Sequence, residues 1–148
     1  WPVYQEAVVI AREAQKFSLS MPKNGNQSLS DQFRRASQSI ALNIAEGSSR
    51  TTIKDKVNFL RISKGSVFEC VAVTDLALQF ELMDLERYRS FQEKLANVGR
   101  MLSAIIRHLE KPKIEKATPV HVISTQSCRL VLGYKSDQFQ LVCTSLSF

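Results

Sequence analysis

The sequence has few cysteines and no long hydrophobic run, and each shortage excludes a class of protein. Cys70, Cys128 and Cys143 are too few and too scattered for a disulfide framework or a zinc site. No apolar stretch approaches the roughly 18 residues that span a bilayer, which predicts no membrane contact through a spanning helix. No basic segment followed by an apolar core marks a signal peptide, so we expect a cytoplasmic protein.

Residue patterns typical of catalytic and metal sites are also scarce. The two histidines, His108 and His121, do not stand at metal-ligand spacing from a second ligand. Ser39, Ser63 and Ser66 lack the sequence signature of an activated nucleophile. Both glycine-rich phosphate-loop patterns are absent. We therefore predict that the protein is not an enzyme and has no catalytic residues, no metal site and no cofactor.

What the sequence does contain is helical hydrophobic periodicity in four segments. Apolar residues recur at spacings of three and four and predict helices over about 3–19, 29–46, 52–82 and 84–110. The cleanest pattern belongs to the fourth helix: Tyr88, Phe91, Leu95, Val98, Leu102, Ile105 and Leu109. Short connections favour an all-α, antiparallel up-down-up-down four-helix bundle over residues 1–116.

The composition changes after Lys116. Residues 117–148 are rich in valine, serine and threonine, and two short strands joined around Gly133 to Asp137 would fit their alternation. An isolated hairpin is marginally stable in water. The tail is therefore expected either to pack against the bundle or a partner, or to be disordered, and the sequence leaves this open.

Residue types at the helix ends predict where the second, third and fourth helices begin. Ser28 or Ser30 would cap the N-terminus of the second helix. Thr52 followed by Asp55 resembles a capping box, which places the start of the third helix there. Asp84 is the expected N-cap of the fourth helix.

Two glycines have separate predicted roles. Gly47 is placed where a C-terminal glycine would end the second helix. Gly65 lies inside the third helix, where glycine costs about 1 kcal/mol relative to alanine. We expect the close approach of a neighbouring helix to compensate for this cost.

The second helix has a polar stripe beside its apolar stripe. Phe33, Ala36 and Ile40 form the apolar stripe, which runs on into Asn43. The neighbouring stripe, here called the polar ladder, consists of Arg35, Ser39, Asn43 and Glu46. Such a ladder is typical of a hydrogen-bonded network inside a bundle or of a contact surface. We favour a network that fixes helix register or joins subunits, with Arg35 and Glu46 bound to another helix or subunit.

Most of the net charge of +6 is concentrated in one part of the chain. Between Arg34 and Lys64 there are seven basic residues against two acidic ones. Such a face suits an acidic partner, most commonly nucleic acid, although it also suits a simple solvated helix surface. Since most of these cations flank one connection, we expect six of them to form a nucleic-acid-binding cluster: Arg34, Arg50, Lys54, Lys56, Arg61 and Lys64. Phe59 is expected to face the core, so binding would be to the backbone rather than to bases.

Two sequence blocks resemble those of a known family. The first is filled by Arg35, Ala36, Ser39, Ile40 and Asn43 through Gly47, with Arg50 at the following basic position. The second is filled by Phe59, Leu60, Ile62, Gly65, Ser66 and Glu69, with Ser63 in place of the usual alanine. Over about residues 3–110 the sequence resembles the S23-type family linked to intervening sequences of bacterial 23S ribosomal RNA genes.

The resemblance implies a four-helix bundle that assembles as a ring-like homopentamer. It also implies kinship with the accessory proteins of diversity-generating retroelements, whose basic pentamers bind a reverse transcriptase and nucleic acid. An oligomer also agrees with residues 67–82, which are apolar on several sides of the third helix. The predicted structural or inter-subunit network consists of Arg35, Ser39, Asn43, Glu46, Gly47, Gly65, Ser66 and Glu69.

The predicted function is that of a non-catalytic, oligomeric bundle whose basic face associates with structured RNA or DNA through backbone contacts. The alternative is a protein-interaction scaffold that docks an acidic or reverse-transcriptase-like partner. Binding that weakens steeply with salt would favour the first hypothesis. Recovery of a protein partner after nuclease treatment would favour the second.

Overall fold

The computed structural model describes residues 1–21 and 26–111, which form four helices. These are α1 (Pro2–Ser20), α2 (Gln27–Ser49), α3 (Ile53–Gln79) and α4 (Leu85–Glu110). Each helix packs on the next, and α4 packs back on α1 along the least extensive of the four seams. The predicted antiparallel four-helix bundle is thereby confirmed. The predicted tail, residues 117–148, lies outside the described residues.

The core is built from the apolar stripe of each helix around a group of three phenyl rings. Phe17, Phe33 and Phe91 lie with ring centroids 5.2 to 6.2 Å apart, and the Phe17–Phe33 and Phe33–Phe91 pairs meet edge to face. The stripe of the first helix is buried. In α4, Phe91, Leu95, Val98 and Leu102 are buried as predicted, whereas Tyr88, Ile105 and Leu109 are only partly buried and Ile106 is buried instead of Ile105. The helical period places several residues of each helix against this one core.

The capping predictions are correct for α3 and α4 and wrong for α2. The Thr52 hydroxyl accepts a hydrogen bond from the Asp55 amide at 3.1 Å, and the Asp84 carboxylate accepts one from the Arg87 amide at 2.8 Å. The N-cap of α2 is Asn26 rather than a serine. Ser30 is instead buried, and it exchanges two 3.1 Å side-chain-to-carbonyl hydrogen bonds with Ser18 of α1. It joins two helices rather than beginning one.

Gly47 does not end α2, because the helix continues to Ser49. The glycine is buried, and a Cβ atom on it would lie 3.1 Å from the Phe59 Cβ and 3.3 Å from the Lys56 carbonyl oxygen. These distances are shorter than ordinary van der Waals contacts. Gly47 therefore allows α2 and α3 to approach closely, which is the role that was predicted for Gly65.

Gly65 itself is exposed, and no described residue would contact a Cβ atom on it within 4 Å. The prediction of a neighbouring helix at Gly65 is wrong for the part of the chain that the structure describes. The two glycines differ because Gly47 lies on the side of α2 that carries Ile40 and Ile44, whereas Gly65 lies on the outer side of α3.

The third helix ends at Gln79 rather than at about residue 82. Glu81 adopts a left-handed backbone conformation with φ of 59°. The Leu82 amide then donates to the Ala77 carbonyl at 2.9 Å, and the Glu81 amide donates to the Leu78 carbonyl at 3.0 Å. This pair of hydrogen bonds is the Schellman motif that commonly terminates helices.

The apolar surface of α3 is only partly covered by the other helices. Val67 and Val73 are buried, whereas Leu76 is 44% and Phe80 is 58% exposed. At the other end of the helix, Ile53 is 47% exposed.

Candidate nucleic-acid interface

The polar ladder of α2 faces α3, where the second sequence block supplies its partners. The hydroxyl oxygens of Ser39 and Ser66 lie 2.8 Å apart, so one donates to the other across the seam. Asn43 donates from Nδ2 to the Ser39 carbonyl at 2.8 Å and to the Ser39 hydroxyl at 2.9 Å. The predicted hydrogen-bonded network therefore joins α2 to α3 within one chain.

The charged members of the ladder find partners close to their own positions. Glu46 forms an ion pair with Arg50, four residues later, and not with another helix or subunit as predicted. Arg35 donates to Gln32 Oε1 at 3.3 Å, and Gln32 in turn donates to the Glu69 carboxylate of α3. Because Arg35 and Glu46 each find a hydrogen-bonding or ion-pair partner near them in the chain, the ladder needs no second subunit to satisfy its charged groups.

Ser63 is a further member of this seam that the sequence did not indicate. Its side chain is fully buried, and its hydroxyl donates to the Ile40 carbonyl at 2.9 Å. A buried hydroxyl is tolerated only when it is hydrogen-bonded, and this bond satisfies it. The departure from the alanine of the resembled pattern was the only signal that could have drawn attention to it.

The shifted pKa values of the described residues arise from local structure. Burial, and secondarily the nearby Glu69 carboxylate, raises the pKa of the Cys70 thiol to about 12, so this cysteine is a protonated core residue. The pKa of Tyr88 is raised because its hydroxyl donates to the Asp75 carboxylate at 2.9 Å. The pKa of Asp84 is lowered by the hydrogen bond that it accepts as the N-cap.

The six predicted nucleic-acid-binding cations do not form one cluster. Arg34 pairs with Asp31 at 2.9 Å and lies about 24 Å along α2 from Arg50, at 1.5 Å per residue. Arg50 lies at the connection, paired with Glu46 and with its guanidinium carbon 4.7 Å from the centroid of the Phe59 ring. Phe59 is half-buried rather than fully in the core.

The lysines of the first turn of α3 lie on different sides of the helix. Residues two apart on a helix do not share a face, and Lys54 is exposed whereas Lys56 is half-buried. Arg61, seven residues after Lys54, lies on the same side as Lys54 and pairs with Glu110 at 2.5 Å. Within residues 1–21 and 26–111, neither lysine forms an ion pair. Four basic residues lie at the α2–α3 connection or in the first nine residues of α3, although they do not all share one side of the helix. We call these residues the turn cluster: Arg50, Lys54, Lys56 and Arg61.

Lys64 belongs to a different surface. Its ammonium nitrogen lies 6.0 Å from the centroid of the exposed Phe68 ring, and it lines a groove between α3 and α4 together with Arg100 and Arg107. The basic stretch between Arg34 and Lys64 did not include these two arginines, although their spacing of seven places both on one face of α4. The basic surface therefore has two parts, the turn cluster and this groove.

Over residues 1–21 and 26–111, no group of three or more His, Cys, Asp or Glu side chains could hold a metal ion. In the same part of the chain, none of the four helices is long and apolar enough to cross a membrane.

These features define a four-helix bundle with a polar α2–α3 seam and a basic turn cluster. The chain belongs to the family of 23S rRNA-intervening sequence proteins, whose pattern it matches over residues 1–104. The fold is similar to that of a protein of unknown function from the S23 ribosomal protein family of Bacteroides thetaiotaomicron VPI-5482. That crystal structure has a TM-score of 0.64 and 24% identity, and the match covers 71% of this chain and 98% of the other. Comparison with curated proteins produced no match.

Proposed function

We propose that the protein is a non-catalytic bundle that associates with structured RNA, or with other nucleic acid, through the turn cluster. The observation that carries the proposal is the exposed Lys54, which lies between Arg50 and Arg61 in the chain. Among the described residues, Lys54 has no ion-pair partner. The N-terminal end of the α3 dipole adds to the positive potential there. The family relates to 23S rRNA by its description, which agrees with RNA as the ligand.

The chemistry of the turn cluster favours contacts to phosphates over contacts to bases. The aromatic ring in the cluster, Phe59, is half-buried and already carries the Arg50 guanidinium on its face. A base would have to displace this arginine in order to stack. Phosphate contacts supply affinity without sequence selectivity, so binding is expected to depend on the shape of the nucleic acid.

Reversing three charges of the turn cluster, Arg50→Glu, Lys54→Glu and Lys56→Glu, is expected to weaken binding to a structured RNA by about 100-fold at low salt. Each lost phosphate contact removes counterion release, so the slope of log K against log salt should fall by about 2 to 3. Fluorescence anisotropy with a labelled RNA hairpin over a salt series measures both quantities.

The matched control carries the same change in net charge elsewhere, at Arg12→Glu, Lys16→Glu and Arg89→Glu, which are exposed positions on α1 and α4. At about 0.15 M salt its affinity should stay within about threefold of that of the unmodified protein, because charges more than about 8 Å from the bound phosphates are then largely screened. Equal losses of RNA affinity in the two triple variants, or RNA binding that does not change with salt, would contradict the proposal.

The same proposal includes assembly into a homo-oligomer, with the pentamer implied by the family resemblance. What supports it is a set of exposed apolar side chains on α2 and α3, here called the α2–α3 face: Leu42, Ile62, Leu76 and Phe80. Exposed apolar patches of this kind mark association sites. A ring would repeat the turn cluster, and the phosphate contacts of several copies would add.

The double substitution Ile62→Glu and Leu76→Glu is expected to dissociate the oligomer, because it places two carboxylates in an apolar interface. Light scattering coupled to size exclusion should give a mass near five times 16.7 kDa for the unmodified chain and a clearly smaller mass for the variant. Leu19→Glu on α1, where leucine is 75% exposed, is the control and should not change the mass. A monomeric unmodified protein would refute assembly.

The second candidate function is a scaffold that docks an acidic or reverse-transcriptase-like protein, as kinship with retroelement accessory proteins implies. The cationic groove between α3 and α4 supports this candidate. Affinity capture from the native host, repeated after nuclease treatment, separates the two functions. A protein retained after nuclease supports the scaffold, and complete loss supports nucleic acid as the ligand.

A further inference from the structure

The groove between α3 and α4 has an apolar floor with a cationic rim. Its volume is about 680 Å³, and Val67, Val71 and Leu95 contribute to the floor. Four of the residues that line the α4 side are small: Ala96, Gly99, Ser103 and Ala104. Small side chains at helical spacing leave room for another backbone to lie close to α4.

Among residues 1–21 and 26–111, all charged side chains that line the groove are basic. Lys64 stands on the α3 rim, and Arg100 and Arg107 stand on the α4 rim. Neither arginine forms an ion pair within residues 1–21 and 26–111. An occupant with carboxylates on both sides of an apolar stripe would therefore find an opposite charge on each rim.

The length of the groove matches a short helix. The α4 lining extends from Gln92 to Arg107, which is about 22 Å at 1.5 Å per residue. A peptide helix of about 15 residues has the same length and presents anchors at positions i, i+3 or i+4, and i+7.

We propose that this groove docks an acidic amphipathic helix of a partner protein. The inference gives the scaffold function a site and is independent of nucleic-acid binding at the turn cluster. Charge disfavours the protein's own segments as occupants, since the whole chain has a net charge of +6 and residues 113–148 contain four basic residues against two acidic ones. Single-stranded nucleic acid is disfavoured because, in the part of the chain that the structure describes, Phe68 is the one aromatic residue lining the groove.

The test uses the full chain and a labelled probe helix of about 18 residues, with leucines at the anchor positions and glutamates flanking them. Fluorescence anisotropy should show saturable binding below about 100 μM. A scrambled peptide of the same composition has no apolar stripe and should bind at least about tenfold more weakly. Methyl NMR shifts should change at Val71 and Leu95, which lie in the floor.

Two groove variants separate the apolar floor from the rim. Gly99→Leu adds side-chain volume to the floor, and its Cβ atom would lie an ordinary 3.8 Å from Val67 Cγ1. Arg100→Glu with Arg107→Glu reverses one rim. Each variant should bind the probe helix about tenfold more weakly, or weaker still, than the unmodified protein does. Ala45→Leu, on the exposed side of α2, is the control and should leave the affinity unchanged.

The outcomes distinguish this inference from the nucleic-acid proposal. The double variant Arg100→Glu with Arg107→Glu should bind RNA with an affinity within about threefold of that of the unmodified protein. The turn-cluster variant should likewise bind the probe helix with an affinity within about threefold of the unmodified value. No binding of the probe, equal binding of the scrambled peptide, or full affinity in Gly99→Leu would overturn the inference. The inference would also be overturned if a single-stranded oligonucleotide displaced the probe and changed the NMR shifts of the same methyl groups. NOEs that show a second copy of the chain, or residues 113–148, in the groove would overturn it as well.

Discussion

Replacing Phe33 with alanine is expected to lower the free energy of unfolding by about 3–5 kcal/mol. The Phe33 side chain is fully buried, and its ring lies edge to face with both other rings of the core, at centroid distances of 6.1 Å from Phe17 and 5.2 Å from Phe91. Truncation removes apolar burial, leaves a cavity between three helices and abolishes two aromatic contacts. Urea denaturation at fixed protein concentration measures the loss.

The matched control is Phe68→Ala, because Phe68 is 64% exposed. This substitution should lower the free energy of unfolding by about 1 kcal/mol or less, because it removes little buried area and because the Lys64 contact on the ring is exposed. Comparable losses for the two phenylalanines would show that Phe33 does not occupy the core as described. A conservative Phe33→Leu substitution should recover a large part of the lost stability.

Gly47→Val is expected to lower the free energy of unfolding by about 2–3 kcal/mol, although valine has a higher helix propensity than glycine. The new Cβ would lie 3.1 Å from the Phe59 Cβ and 3.3 Å from the Lys56 carbonyl oxygen. Both neighbouring atoms are close to or part of the α3 backbone, so relief requires the two helices to separate. Such a shift would also disturb the hydrogen bonds across the polar α2–α3 seam.

Gly65→Val makes the same substitution at an exposed helical glycine and is expected to change stability by no more than about 0.5 kcal/mol. No described residue lies within 4 Å of the position that its Cβ would occupy. Thermal unfolding followed by circular dichroism compares the two variants directly. A strongly destabilised Gly65→Val protein would indicate that another chain packs at Gly65. Neutral behaviour at both positions would contradict the close α2–α3 contact.

The buried stripes of the helices were largely readable from the sequence. Ala7, Ile10, Ala14 and Phe17 recur at spacings of three and four and are all buried in α1. Such spacing records which side of a helix meets the core, whatever the neighbouring helix is. The caps Thr52 and Asp84 were equally readable, because a capping hydrogen bond involves residues only three apart.

The site was less predictable, because its residues act through neighbours distant in sequence. The polar ladder was recognisable as a network, yet the partner of Ser39 is Ser66, 27 residues later. Adjacent basic residues were expected to cluster, yet a spacing of two places Lys54 and Lys56 on different sides of α3. Arg100 and Arg107 join the basic surface only because α4 packs beside α3.

The sequence by itself determined four amphipathic helices, their antiparallel order, the family and the excess of positive charge, because periodicity and composition are properties of local stretches. The tertiary structure alone decided that Gly47 rather than Gly65 lies in a helix contact, and that Lys64 belongs to a groove rather than to the turn cluster. Both outcomes depend on how each helix is rotated about its axis against its neighbour. Successive residues of a helix are 100° apart about its axis, so a rotation of that size moves a side chain from the core to solvent. Only packing across the seam selects the rotation of each helix.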